Sequence, residues 1–63
     1  SEFVLGERLA RAHRLLTDPG RTASSISTIA FESGFGDLSY FNRTFRRHFG
    51  ATPSEIRAGP RRS

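Results

Sequence analysis

No cysteine occurs in the 63-residue chain, so no disulfide framework can staple it. Its two histidines, His13 and His48, have no nearby thiol or acidic partner at metal-ligand spacing, and neither a metal nor another cofactor is expected. No apolar run approaches the ~18 residues a membrane span requires. The chain also lacks the charged-then-apolar opening of a signal peptide. A cytoplasmic location without a membrane partner is therefore expected. A chain of this size buries only about 60% of its unfolded surface. Without disulfide or metal it must be a tightly packed helical bundle or a piece of something larger.

Lysine is absent as well: all ten basic residues are arginine, and the net charge is +4. The charge is uneven. Residues 1–31 set Arg8, Arg11, Arg14 and Arg21 against Glu2, Glu7 and Asp18, whereas residues 32–63 set six arginines against Glu32, Asp37 and Glu55. Guanidinium forks bind phosphate and guanine edges in a bidentate way that an ammonium cannot, which makes nucleic acid the first partner to consider. An arginine-only bias also arises from genomic base composition, so composition alone leaves both readings open.

Apolar residues at Leu5, Leu9, Ala12 and Leu16 follow one helical face, with Leu15 beside it. The first helical segment is placed at 5–19, its periodic part closing at Leu16 before "TDPG", where Pro19 cannot continue the ladder. "SEF" at the start matches what a common cloning site encodes, and residues 1–4 are set aside as a scar or disordered start. After a polar loop, Ser25 caps a brief helix whose buried stripe is Ile26, Ile29 and Ala30, while Phe31 lies off that stripe and would cover another element. Gly34 suits a left-handed position after it.

Asp37 then caps a third helix with apolar residues at Leu38, Phe41, Phe45 and Phe49. Its other face carries Ser39, Asn42, Arg43 and Arg46, with Arg47 on the flank. Phe35, Phe41, Phe45 and Phe49 are expected in the core, and Tyr40 is expected to pack its ring. Gly50 ends this helix. In "ATPSEIRAG", Thr52 reads as cap, Pro53 as first helical residue and Glu55 as the partner of a capping box, giving a short helix at 53–58 with Ile56 turned inward. Residues 59–63 read as a disordered tail.

Two helices joined by the tight break Gly34-Phe35-Gly36 form a helix-turn-helix at 25–49. Small Ala30 permits close helix crossing, and Gly34 four residues later makes the turn. The expected fold is all-α: a three-helix helix-turn-helix bundle, homeodomain-like, with a short C-terminal helix.

The segment "SISTIAFESGFGDLSYFNRTFRRHFGATPSEIR", Ser25 to Arg57, resembles the second helix-turn-helix of the AraC/XylS-type bacterial transcription regulators. It carries the pattern I-x-x-I-A-x-x-x-G-F, then S-Y-F-x-R-x-F-R-R-x-F-G, then T-P-x-x-x-R. "ERLARAHRLL", Glu7 to Leu16, is similar to the connecting helix that precedes that motif. There are two departures: nothing before this helix resembles the family's first motif, and Ile56 stands where the family usually has an aromatic residue.

The resemblance implies sequence-specific binding to double-stranded DNA, with 37–49 as recognition helix in the major groove. Ser39, Asn42, Arg43 and Arg46 are the base-reading candidates, since arginine pairs with guanine O6 and N7 and asparagine with adenine N6 and N7. Arg47, Ser24, Ser25 and Thr52 are the phosphate candidates. Activators of this family contact RNA polymerase, which makes it a further expected partner. With the first motif missing, an apolar patch near Leu9, Leu16 and Phe31 is expected to drive self-association.

Two other function classes fare worse. Asp37, Ser39 and His48 supply the residue types of a catalytic triad, but on one short helix with His48 more than two turns from Asp37, so no catalytic site is expected. A helical protein-interaction module would place apolar or aromatic residues where Ser39, Asn42, Arg43 and Arg46 stand. His13 and His48 are read as a surface residue and a helix-end residue.

Overall fold

The computed structural model describes residues 2–59. Four α-helices follow in order: α1 (Glu2–Leu16), α2 (Ile26–Glu32), α3 (Leu38–Phe49) and α4 (Pro53–Ala58), with a 3-10 turn at Pro19–Arg21 between α1 and α2. No strand occurs among the described residues.

The core is where the apolar stripes of three helices meet. Leu9, Ala12 and Leu16 come from α1, Ile29 and Ala30 from α2, Phe41 and Phe45 from α3, and Phe35 from the turn. Aromatic rings form its spine, with centroids 4.9 Å apart for Phe35 and Phe41, 5.5 Å for Phe41 and Phe45, and 4.6 Å for Phe45 and Phe49. Tilted pairs at these distances suit the ring quadrupoles. Ser33, the buried C-cap of α2, donates its hydroxyl to the Ile29 carbonyl at 2.8 Å, which removes the cost of hiding an unpaired polar atom.

The turn between α2 and α3 is a Schellman closure. The N–H of Phe35 donates to the Ala30 carbonyl at 2.9 Å and that of Gly34 to the Phe31 carbonyl at 3.1 Å. Gly34 adopts φ +102°, and a Cβ there would meet the Arg8 side chain at 3.0 Å. Backbone and neighbour both select glycine. Gly34→Ala is accordingly expected to cost about 1–2 kcal/mol of stability, read as a lowered urea midpoint with unchanged slope. A neutral result would mean that the turn relaxes freely.

The caps agree with the sequence. Ser25, Asp37 and Thr52 each accept a backbone N–H three residues on, from Thr28, Tyr40 and Glu55 respectively. Thr52 and Glu55 complete the capping box, and Gly50 leaves α3 at φ +78°.

Five expectations need correction. Residues 2–4 are not a disordered start: they form the first turn of α1, where Glu2 favours the positive end of the dipole and nothing interrupts the helix. Ser1 lies outside the described residues, as do residues 60–63 of the expected disordered tail, while Gly59 is the C-cap of α4. The first segment is helical only to Leu16; Thr17 turns its hydroxyl back to the His13 carbonyl at 3.0 Å, and Asp18 caps the 3-10 turn that Pro19 opens. Leu38, at the first position of α3, is 37% exposed rather than buried. His13 is not a surface residue: half-buried, its ring lies 4.9 Å from that of Phe49.

The fifth concerns the patch near Leu9, Leu16 and Phe31. Leu9 and Leu16 are 1% and 4% exposed because both lie inside the core cluster with Ile29, Ala30, Phe41 and Phe45. Phe31 stands alone at 58% exposure, about 100° around α2 from the buried Ala30. More than half of its surface faces solvent.

Candidate nucleic-acid interface

α3 is strongly two-sided. Phe41, Thr44 and Phe45 are buried, so Ser39, Asn42, Arg43 and Arg46 are carried outward by the 3.6-residue period, and all four are exposed. Asp37 fixes where the helix starts, and Gly50 where it stops. The side chains between them therefore project from a rigid rod of about 18 Å.

These side chains and two of the phosphate candidates share one surface. Ser39, Asn42, Arg43, Arg46, Arg47 and Thr52 line a shallow open groove of about 640 Å³ running from α3 to the start of α4. Three guanidinium groups thus face one concavity. None of them has a carboxylate within ion-pair distance among the described residues, in contrast to Arg21, which pairs with Glu32 between the 3-10 turn and α2. The groove is left with uncompensated positive charge and a mixed row of hydroxyl, amide and guanidinium donors.

Ser24 and Ser25 are not brought into this groove; they lie before α2. The Ser25 hydroxyl is already engaged, accepting from the Thr28 N–H at 3.1 Å and donating to the Thr28 hydroxyl at 2.9 Å. Thr52 is in the groove, but its backbone N–H donates to Glu55 at 2.9 Å and its hydroxyl oxygen accepts the Glu55 N–H at 3.2 Å. Tyr40 is not in this groove; 43% exposed, it lines a depression with Arg8 of α1 and the turn, its ring centroid 6.2 Å from that of Phe35.

Sequence reasoning gave no role to Arg57. Its Nη2 donates to the Arg21 carbonyl at 2.7 Å and to the Thr22 carbonyl at 3.4 Å, tying α4 to the loop that leads into α2. The T-P-x-x-x-R spacing was the available signal: it puts an arginine at the end of a capped short helix, pointing back across the fold. Arg57→Met is expected to lower stability by about 1.5 kcal/mol, the scale of a hydrogen bond from a charged donor, measured by urea unfolding. Wild-type stability would show the tie to be ornamental.

Residues 1–59 match the family described as "Helix-turn-helix domain". The chain is 54% identical over 57 residues to the transcriptional activator RhrA of Rhizobium meliloti, an overlap covering 90% of this chain and 18% of that protein. It is 46% identical to the HTH-type transcriptional regulator ExsA of Pseudomonas aeruginosa, over 90% of this chain and 19% of that protein. Against the HTH-type transcriptional activator RhaS of Enterobacter sp. it is 44% identical, over 82% of this chain and 18% of the relative. The chain thus spans about a fifth of the length of the curated relatives it matches. No solved structure matches it. With the Schellman-closed turn, the one-sided basic helix after it and these matches in agreement, the chain belongs to the AraC-type helix-turn-helix family of transcription regulators.

Proposed function

We propose that this chain is a DNA-reading half-domain of a bacterial transcription regulator, and that α3 lies in the major groove of duplex DNA. The observation that carries the reading is the groove that gathers Ser39, Asn42, Arg43, Arg46, Arg47 and Thr52 on the solvent side of the helix after the turn, with its arginines unpaired. An α-helix fits the width of the B-DNA major groove. Asn42 and Arg43, in the half of α3 nearer the turn, read base edges together with Ser39, and Arg46 extends the reading. Arg47 and the Thr52 hydroxyl hold phosphates. Ser24 and Ser25 reach a flanking phosphate only if the cap of α2 gives up a hydrogen bond, which makes them the weakest members of the set.

No helix among the described residues is long and apolar enough to cross a membrane, and the proposed site of action is the cytoplasm, where bacterial DNA is accessible. The role is binding rather than catalysis. In the whole regulator the reading extends to activation through RNA polymerase, in keeping with the relatives RhrA and RhaS, which are transcriptional activators. Of the patch expected at Leu9, Leu16 and Phe31 only Phe31 is exposed, and the proposal gives self-association no part.

Fluorescence anisotropy of the chain with a mixed-sequence duplex at two salt concentrations tests the reading. Binding on the order of 10⁻⁴–10⁻⁶ M with steep salt dependence is expected. Arg47→Ala should weaken all sequences about equally and lower the magnitude of the salt slope by about 1. Salt-independent binding, or none at low salt, would overturn the proposal.

A further inference from the structure

We infer that the outer face of α1 is a second interaction surface, one that takes an acidic protein segment with an apolar anchor while α3 holds DNA. Arg8, Arg11 and Arg14 are all exposed on α1. Glu7 is the one acid among them, and none of the three arginines is ion-paired among the described residues. Like charges three residues apart on a helix repel, so this row weakens α1 unless an anion faces it.

The arginines do not stand alone. Val4, 41% exposed, and Ala10 line a shallow depression with Arg8, Arg11, Arg14, Ser33 and the single acid Glu7, which leaves a net positive charge. Phe3 is 74% exposed in the first turn of the same helix. A phosphate backbone would neutralise the arginines but leave Phe3 and Val4 in water, whereas an acidic peptide with a leucine or phenylalanine would cover both.

The surface is separate from the α3 groove. α1 and α3 line one depression together, Glu2, Leu5, Gly6 and Leu9 with Thr44, Arg47 and His48, and Arg11 and Arg14 lie outside it. The depression on α1 and the groove on α3 share no residue. A duplex seated on α3 leaves the α1 arginines free. The Arg8 side chain lies beside Gly34.

The test is an NMR titration of the ¹⁵N-labelled chain with a synthetic peptide of glutamates interrupted by leucines, alone and after saturation with a mixed-sequence duplex. Amide shifts are expected along residues 4–14, with peptide affinity changed less than about twofold by the duplex. Arg11→Glu with Arg14→Glu should weaken the peptide by about tenfold or more and leave duplex affinity within about twofold. Should charge reversal disturb the fold by circular dichroism, Arg11→Gln with Arg14→Gln serves instead. Displacement of the peptide by the duplex, or loss of duplex affinity in the α1 variant, would overturn the inference and assign the arginines to DNA. Equal binding of a leucine-free polyglutamate would overturn the apolar anchor and with it the protein partner.

Discussion

Phe45→Ala is expected to leave the chain largely unfolded at room temperature. Phe45 is fully buried at the centre of the aromatic spine, 5.5 Å from Phe41 and 4.6 Å from Phe49 between ring centroids, with His13 of α1 stacked at 6.4 Å. Truncating such a ring removes its transfer free energy and leaves a cavity, for a total of about 3–5 kcal/mol. At 0.05–0.15 kcal/mol per residue, a domain of this length has roughly 3–9 kcal/mol to lose. One substitution therefore removes most of the stability. Urea unfolding followed by far-UV circular dichroism gives the measurement, with Phe31→Ala as the contrast: that ring is 58% exposed, and its loss should stay within about 0.5 kcal/mol. Similar losses for the two would show that the core is not where the rings converge.

The convergence itself was readable because periodicity and caps pointed the same way. Phe41 and Phe45 recur at helical spacing after a capping aspartate, and both are fully buried. Ala30, Gly34 and Phe35 together specify the Schellman turn that sets the α2–α3 angle. What the pattern could not say is how far a stripe continues before its partner ends. Leu38 belongs to the apolar series by spacing, yet it opens the first turn of α3 and stays 37% exposed. At the other end, residues 1–4 were set aside as a cloning remnant or disordered start, although nothing in Glu2, Phe3 or Val4 opposes a helix. Origin of a residue and its propensity are separate questions.

The candidate interface was legible as a face but not as a surface. Helical period alone separates Ser39, Asn42, Arg43 and Arg46 from the core positions. It cannot show that Thr52, six residues after Arg46 and beyond a glycine break, folds back into the same groove. Nor could it place Ser25, whose hydroxyl satisfies both the Thr28 N–H and the Thr28 side chain, because capping and phosphate binding demand the same residue type at the same position. Arg57 escaped notice for a related reason. An arginine that donates inward to carbonyls, as Arg57 does, looks no different in sequence from those that face solvent.

Arg43→Ala is expected to erase sequence preference at one base pair while leaving general DNA affinity little changed. A bidentate arginine–guanine contact discriminates by about 1–3 kcal/mol, or about 5- to 150-fold between the preferred duplex and its mismatch. Selecting bound duplexes from a randomised pool, then measuring both by anisotropy, reads that ratio directly. Arg43→Lys decides the chemistry: an ammonium retains the charge but not the planar fork, so it should keep most of the non-specific affinity and recover little of the preference. Full recovery by lysine would make Arg43 a phosphate contact. Arg47→Ala provides the opposite profile, with uniform weakening and no change in preference. If Arg43→Ala and Arg47→Ala behave alike, the division of α3 into a base-reading row and a phosphate-holding flank is wrong, and the groove binds DNA by charge alone.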